Sequence, residues 1–250
     1  MAGLIHSTGG PLPLVITCEH GGDRVPHRYA AQFARHAALV RSHRGHDLGA
    51  LKIAQALARR FRAPLEYATT SRLLIDLNRS LHHRDLFSEI TRGLPTAEQQ
   101  RIVEHHWRPF RDRVADQITT TIAAHGVVCH LSVHTFVPVR DGTTRRTDIG
   151  LLYDPARPGE RALAGRWRAA LRALRPDLTL HRNAPYRGVA DGHTTALRRL
   201  HPPERYLGIE LEVNQRFASL PSQKWQALIH ALATTLATAR EQANGRRTAE

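Results

Sequence analysis

The chain has 250 residues, 41% of them hydrophobic and 23% charged, which is room for one sizeable core in an ordinary globular protein. No apolar run approaches the about 20 residues that cross a bilayer, and the start MAGLIHSTGG lacks the basic and apolar regions of a secretory signal, so a cytoplasmic protein is the expectation. A formal net charge of +14 points toward nucleic acid, but the 36 basic residues are scattered and only Lys52 and Lys224 are lysine, which disfavours a phosphate-binding face and fits small anionic substrates better.

In chain order, PLVITCEH (13–20) predicts a strand, and DLGALKIAQALARRF (47–61) an amphipathic helix with Ala50, Ile53, Ala54, Leu57 and Phe61 on one face. Asp47 suits the N-cap of that helix. LEYATTSRLLIDLNRS (65–80) reads as one or two strands, and Thr96 to His125 as one long helix bent near Pro109. Strands follow at 127–136 and 148–154, a helix over 158–174, a loop-rich segment to about 204, a strand at 205–215 and a helix over 222–243. The tail NGRRTAE is expected to be mobile. Cys18 and Cys129 sit in apolar runs and read as buried free thiols. With no repeat or linker, the pattern predicts a single α/β domain, its core about 13–243, built on a mixed, mainly parallel twisted sheet with helices on both faces.

Ligands of such sheets gather at the carboxyl ends of the strands. After the first strand come Glu19, His20, two glycines and Asp23; His20 and Asp23 have the spacing of a short metal-ligand pair, or form a polar turn in which the aspartate bonds its own backbone. In HLSVHT, alternation puts His130, Ser132 and His134 on one face, with His134 at the end where a third ligand could join and His130 deeper, as a core or ligand-supporting histidine. Asn78 and Arg79 end LLIDLNRS; together they can grip a carboxylate, or Arg79 pairs with Asp76 or Asp85 on the surface. GIELEVNQ places Glu210 and Glu212 on one strand face, costly unless they are protonated, paired or near a cation. Glu212, nearer the carboxyl end, is the preferred general base and Glu210 the fallback.

Taken in order, CEHGGDRVP, HRGHDLGA, SRLLIDLNRS, VHTFVPV, DIGLLYD, NAPYRG and GIELEVNQ resemble the N-formylglutamate amidohydrolase family, a relative of zinc carboxypeptidases and of the aspartoacylase and succinylglutamate desuccinylase enzymes. The resemblance spans residues 13 to 217 and implies a phosphorylase/hydrolase-like, zinc-carboxypeptidase-like fold. It implies His20, Asp23 and His134 as ligands of zinc or another divalent metal, Asn78 and Arg79 as the clamp on the substrate carboxylate, and Glu212 as base. Two features depart from the family: Asp23 stands where a glutamate is usual, and ELEVNQ lacks the arginine that tends to follow the acid and valine. RNAPYRGVADGHTT (182–195) looks like the family's substrate loop, with Asn183, Tyr186, Arg187 and His193 lining the pocket or stabilising the oxyanion. Arg72, Arg140, Arg145 and Arg146 are further carboxylate contacts, and Asp47 is a helix cap or a support for a zinc histidine. The activity implied is hydrolysis of an N-acylated acidic amino acid, with N-formyl-L-glutamate first, within histidine breakdown. The rivals are another N-acyl amino acid or carboxypeptidase-type hydrolase on this scaffold, and a non-catalytic basic protein that binds nucleic acid.

Overall fold

A computed structural model describes residues 10–244; the first nine residues and those after Asn244, which hold most of the tail expected to be mobile, lie outside the described residues. The strands are β1 (Leu14–Cys18), β2 (Leu65–Tyr67), β3 (Val128–Phe136), a small hairpin of β4 (Val139–Arg140) and β5 (Thr143–Thr144), then β6 (Ile149–Leu152), β7 (Leu180–Arg182) and β8 (Tyr206–Asn214). Six of them form one sheet in the order β2-β1-β3-β8-β6-β7. Every neighbouring pair is parallel except β6 and β8, which run antiparallel. The helices are the single turns α1 (Ala30–Phe33) and α2 (Ala37–Val40), then α3 (Ala50–Phe61), α4 (Thr96–Ile102), α5 (Arg108–His125), α6 (Pro158–Leu174), α7 (His193–Leu200) and α8 (Ser222–Asn244). Among the described residues no helix is long and apolar enough to cross a membrane.

Alternation along the central strands assigns the two faces. Cys129, Leu131 and Val133 of β3, with Leu207, Ile209 and Leu211 of β8, join a core shared with Ile53 and Leu57 of α3, Trp167 of α6 and Leu232 of α8. On the other face Val15, Val128 and Tyr206 meet Phe110, Val114 and Ile118 of α5 and the apolar segment 73–77. Beyond that second core the face turns polar, through Thr17 and Glu19 of the first strand region, His130, Ser132 and His134 of β3, and Glu210 and Glu212 of β8. Parallel pairing sets Ser132 beside Glu210 and His134 beside Glu212.

The structure sharpens three expectations. The run at 71–80 is a series of turns, with Leu74 N donating to Ser71 O, Arg79 N to Asp76 O, and Asp76 N to Leu86 O. Its consecutive buried leucines mimic a strand, but they fill the second core without pairing into the sheet. The helix from Thr96 to His125 is interrupted by a π turn at Val103–Trp107, one turn ahead of Pro109; a wider turn there tolerates a residue that cannot donate an N–H. The loop-rich segment after 174 also holds two short elements, β7 and α7. β7 has only Leu180 buried, too little apolar pattern to announce a strand.

Candidate metal and substrate site

The chain leaves β1 through Glu19 and His20, both buried, into Gly21 and Gly22. A side chain at either glycine would strike the Ala68 or Thr69 carbonyl at 2.8 and 2.7 Å, so this turn packs closely against the strand-like connection beyond β2. It aims His20 across the carboxyl end of the sheet, where Asp47 and His134 meet it: Asp47 Oδ2 lies 2.8 Å from His134 Nδ1 and 3.4 Å from His20 Nδ1. One ligand atom from each of the three falls within 4.8 Å of the others, and all three residues are buried.

Asp23 does not join them. It is exposed and lines a separate shallow depression with Phe33 and Arg41, because the glycine turn carries the chain outward after His20. Nor does Asp47 cap α3: the capping residue is Gly49, and the first turn's Ala50 N–H is taken by the Asp47 backbone carbonyl at 3.0 Å. Its carboxylate is thereby left for the two imidazoles. Burial alone would raise the Asp47 carboxyl, yet His20 and His134 hold it well below its ordinary range. Burial opposes charge on His134 as well, but the hydrogen bond to Asp47 together with the negative charges of Asp47, Glu19 and Glu212 outweighs it, lifting the imidazole to about 10.

The far nitrogen of each histidine is also held. His20 Nε2 lies 2.7 Å from Asp76 Oδ1, and Arg72 binds the other Asp76 oxygen at 2.6 Å. Against the pull of burial, Arg72 and then His20 keep Asp76 ionised. An acceptor-only carboxylate draws the proton of neutral His20 to Nε2 and leaves a lone pair on Nδ1, the arrangement in which imidazole binds a metal. That Nδ1 makes no hydrogen bond in the fold, and neither does the buried Oε2 of Glu212. Buried polar atoms rarely stay unpartnered. Two of them beside an Asp and a second His fit a divalent cation and the group that works next to it. Burial, reinforced by Asp47 and Glu210 and opposed by His134, pushes Glu212 up to about 8. Glu210 is less buried and accepts from Thr194 Oγ1.

These groups floor a cavity of about 650 Å³ whose walls include Asn78, Arg79, Arg140, Tyr186 and Arg187. Arg79 is steadied by Asp191 O at 2.8 Å, and Asn78 Oδ1 accepts the His193 N–H at 2.7 Å, which leaves the Asn78 amide N–H donors for an anion. Three residues of the expected substrate set lie elsewhere or act otherwise. Asn183 turns away, its Oδ1 accepting from Tyr153 N and Gly188 N. The His193 ring is buried on Glu19, since it opens α7 under the cavity wall. Arg72 lines the cavity but spends its charge on Asp76 and Asp47. Of the further arginines, Arg145 stacks between Phe136 and Tyr186, and Arg146 is exposed outside the cavity lining.

A family model of N-formylglutamate amidohydrolase matches residues 12–218. The chain belongs to the N-formylglutamate amidohydrolase family. It is therefore an amidohydrolase, a hydrolase of amide bonds. The fold of this family member is shared with the N-formylglutamate amidohydrolase of Ralstonia eutropha, at 20% identity and a TM-score of 0.73 over 98% of this chain and 97% of that one. A gene product of Agrobacterium tumefaciens is similar at 29% identity and a TM-score of 0.77, over 90% and 89% of the two chains. No curated protein matches the sequence. Two residues of the candidate site, Asp47 and Asp76, are not marked as direct participants by local sequence pattern. Asp76 carries a signal, an acid between Ile75 and Leu77, of the kind that marks Glu210 and Glu212, whereas Asp47 follows His46 and carries none.

Proposed function

We propose that the protein hydrolyses the N-formyl amide of an acidic amino acid, N-formyl-L-glutamate first, releasing formate and glutamate with the help of a divalent metal such as zinc. The observation that carries this reading is the convergence of His20 Nδ1, Asp47 Oδ2 and His134 Nδ1, with Glu212 beside His134 in register. These three residues would hold the metal, replacing the His20, Asp23 and His134 set expected from sequence. When bound, such an ion polarises a carbonyl and lowers the pKa of water from 15.7 toward about 7.

The remaining work falls to the chain. Glu212, buried and with one oxygen unpartnered, takes the proton of the attacking water and returns it to the departing amine nitrogen. Asn78 and Arg79 bind the α-carboxylate through an amide and a guanidinium fork, which sets the formyl carbon over the histidines. Arg187, which also lines the cavity, would take the second carboxylate of a dianion, with Arg140 beside Asp141 as a further cation of the lining.

Metal analysis and formate release from N-formylglutamate, on the wild type and on His134→Ala, test the proposal together. A metal-free wild type, or an undiminished rate in the variant, overturns it. Faster turnover of acetyl or succinyl amino acids, or of peptides, would move the substrate assignment to the related hydrolases.

A further inference from the structure

Two arginines of the segment 72–79 line the cavity, and the fold treats their charges differently. Arg72 is paired with Asp76 at 2.6 Å and with Asp47 at 3.5 Å, so its charge is spent inside the protein. Arg79 forms no ion pair among the described residues; its Nη1 donates to the backbone carbonyl of Asp191 at 2.8 Å. A neutral carbonyl aims a guanidinium without cancelling its charge, and it leaves the other N–H donors of Arg79 for an anion.

Asp191 is the unusual member of this contact. A carboxylate next to a guanidinium ordinarily pairs with it. Asp191 instead gives its Oδ2 to the Ser80 N–H at 3.0 Å. It therefore holds the clamp at two points, with its carbonyl on the Arg79 side chain and its carboxylate on the next backbone amide. Two residues on, the His193 N–H donates to Asn78 Oδ1 at 2.7 Å. These three bonds join segments that lie 111 to 115 residues apart in sequence. From the other side Trp107 Nε1–H donates to Arg79 O at 2.9 Å, and Arg111 Nη1 to Leu77 O at 3.0 Å. Those two hold the backbone of the turn. Of these partners only Asp191 touches both the backbone and the guanidinium.

We infer that Asp191 is a positioning residue for the carboxylate clamp. Its side chain, bonded to the Ser80 N–H, sets the register of the 182–195 loop against residues 78–80, so that its carbonyl aims an uncompensated Arg79 at the substrate's α-carboxylate. Asp191 has this role only if Asn78 and Arg79 are the clamp proposed above.

Asp191→Ala removes the carboxylate and keeps the carbonyl. KM for N-formylglutamate is expected to rise about 10-fold, the scale of one hydrogen bond to a charged group, with kcat and bound zinc near wild type. KM for the α-amide of that substrate should not change, because it offers Arg79 no carboxylate. Preference for the acid over the α-amide then falls about 10-fold. Asp191→Asn keeps a side-chain oxygen that can accept from Ser80 and is expected to regain most of that preference. A role in loop stability alone would raise both KM values alike or lower kcat, and either result overturns the inference. Should Asp191→Ala not fold, Asp191→Glu takes its place: it keeps the charge, moves the carboxylate by one methylene and is expected to lose the same preference. Wild-type preference in the variant, where the wild type does discriminate, overturns the inference and leaves the clamp standing. A wild type that releases no formate, or releases it equally well from acid and α-amide, overturns both.

Discussion

His134 Nδ1 and Asp47 Oδ2 are 2.8 Å apart although 87 residues separate them in the chain, and both are buried. One comes from the carboxyl end of a central strand, the other from the turn before a helix. Their meeting moves the acidic member of the candidate metal set from Asp23 to Asp47. Asp47→Ala is expected to lower zinc affinity by more than the about 10–100-fold typical of residues that only orient ligands. Asp23→Ala is expected to leave it unchanged. Chelator competition on the two variants checks this; the reverse order would restore Asp23.

Glu212 sits opposite His134 on β8 with one oxygen unpartnered. Glu212→Gln preserves volume and removes the proton acceptor. Its kcat for formate release should fall about 10²–10⁴-fold while bound zinc is retained. Glu210→Gln should fall far less, because Glu210 is engaged by Thr194. A steady-state comparison of both variants at saturating zinc decides which acid is the base.

Asn78 and Arg79 are the donors placed for an α-carboxylate. Arg79→Lys keeps the charge but loses the planar fork, and Asn78→Ala loses the amide donors. Each should raise KM for N-formylglutamate about 10-fold or more, the scale of one charge-assisted hydrogen bond. A rise in KM equal for the amide of the substrate's α-carboxylate would show that the clamp grips something else.

Acid should destabilise the fold through its buried histidines. Burial, with the charge of His193, holds His130 down at about 3, and burial with Arg111 holds His193 at about 4. The unfolded chain takes up these protons below its ordinary histidine range, near 6.5. Stability from this source is full above that pH and declines as pH falls toward 3, by up to about 1.4 kcal/mol per pH unit for each proton. Urea unfolding between pH 7 and 4 measures the slope, and a flat profile would refute the neutral state of both rings.

Glu160 and Arg198 form a buried pair at 3.0 Å, and Arg198 also donates to the carbonyls of Gly188 and Gly208. It thereby ties the 182–195 loop to β8. Arg198→Met leaves a buried carboxylate unpaired and should cost about 3–5 kcal/mol of stability. Denaturant unfolding reads the loss directly.

Much of this was written locally. The period-2 alternation in HLSVHT and GIELEVNQ puts His134 and Glu212 on one strand face whatever the rest of the chain does, and the apolar spacing of 158–174 and 222–243 makes those helices without reference to their neighbours. Acids embedded in apolar runs also announced themselves by their cost. What local pattern could not decide was partnership. Asp47 has the residue type of a helix cap, and only the approach of His20 and His134 turns its carboxylate away from the helix. LLIDLNRS has the composition of a strand, but with β2 already on the edge of β1 it folds into turns that bring Asp76 under His20 and Asn78 into the cavity. His20 and Asp23 are neighbours in sequence, yet a glycine turn sends one into the sheet's end and the other to solvent. Side-chain periodicity is a property of a few consecutive residues, whereas the choice of a buried carboxylate's partner is an electrostatic contest settled only after distant segments have packed.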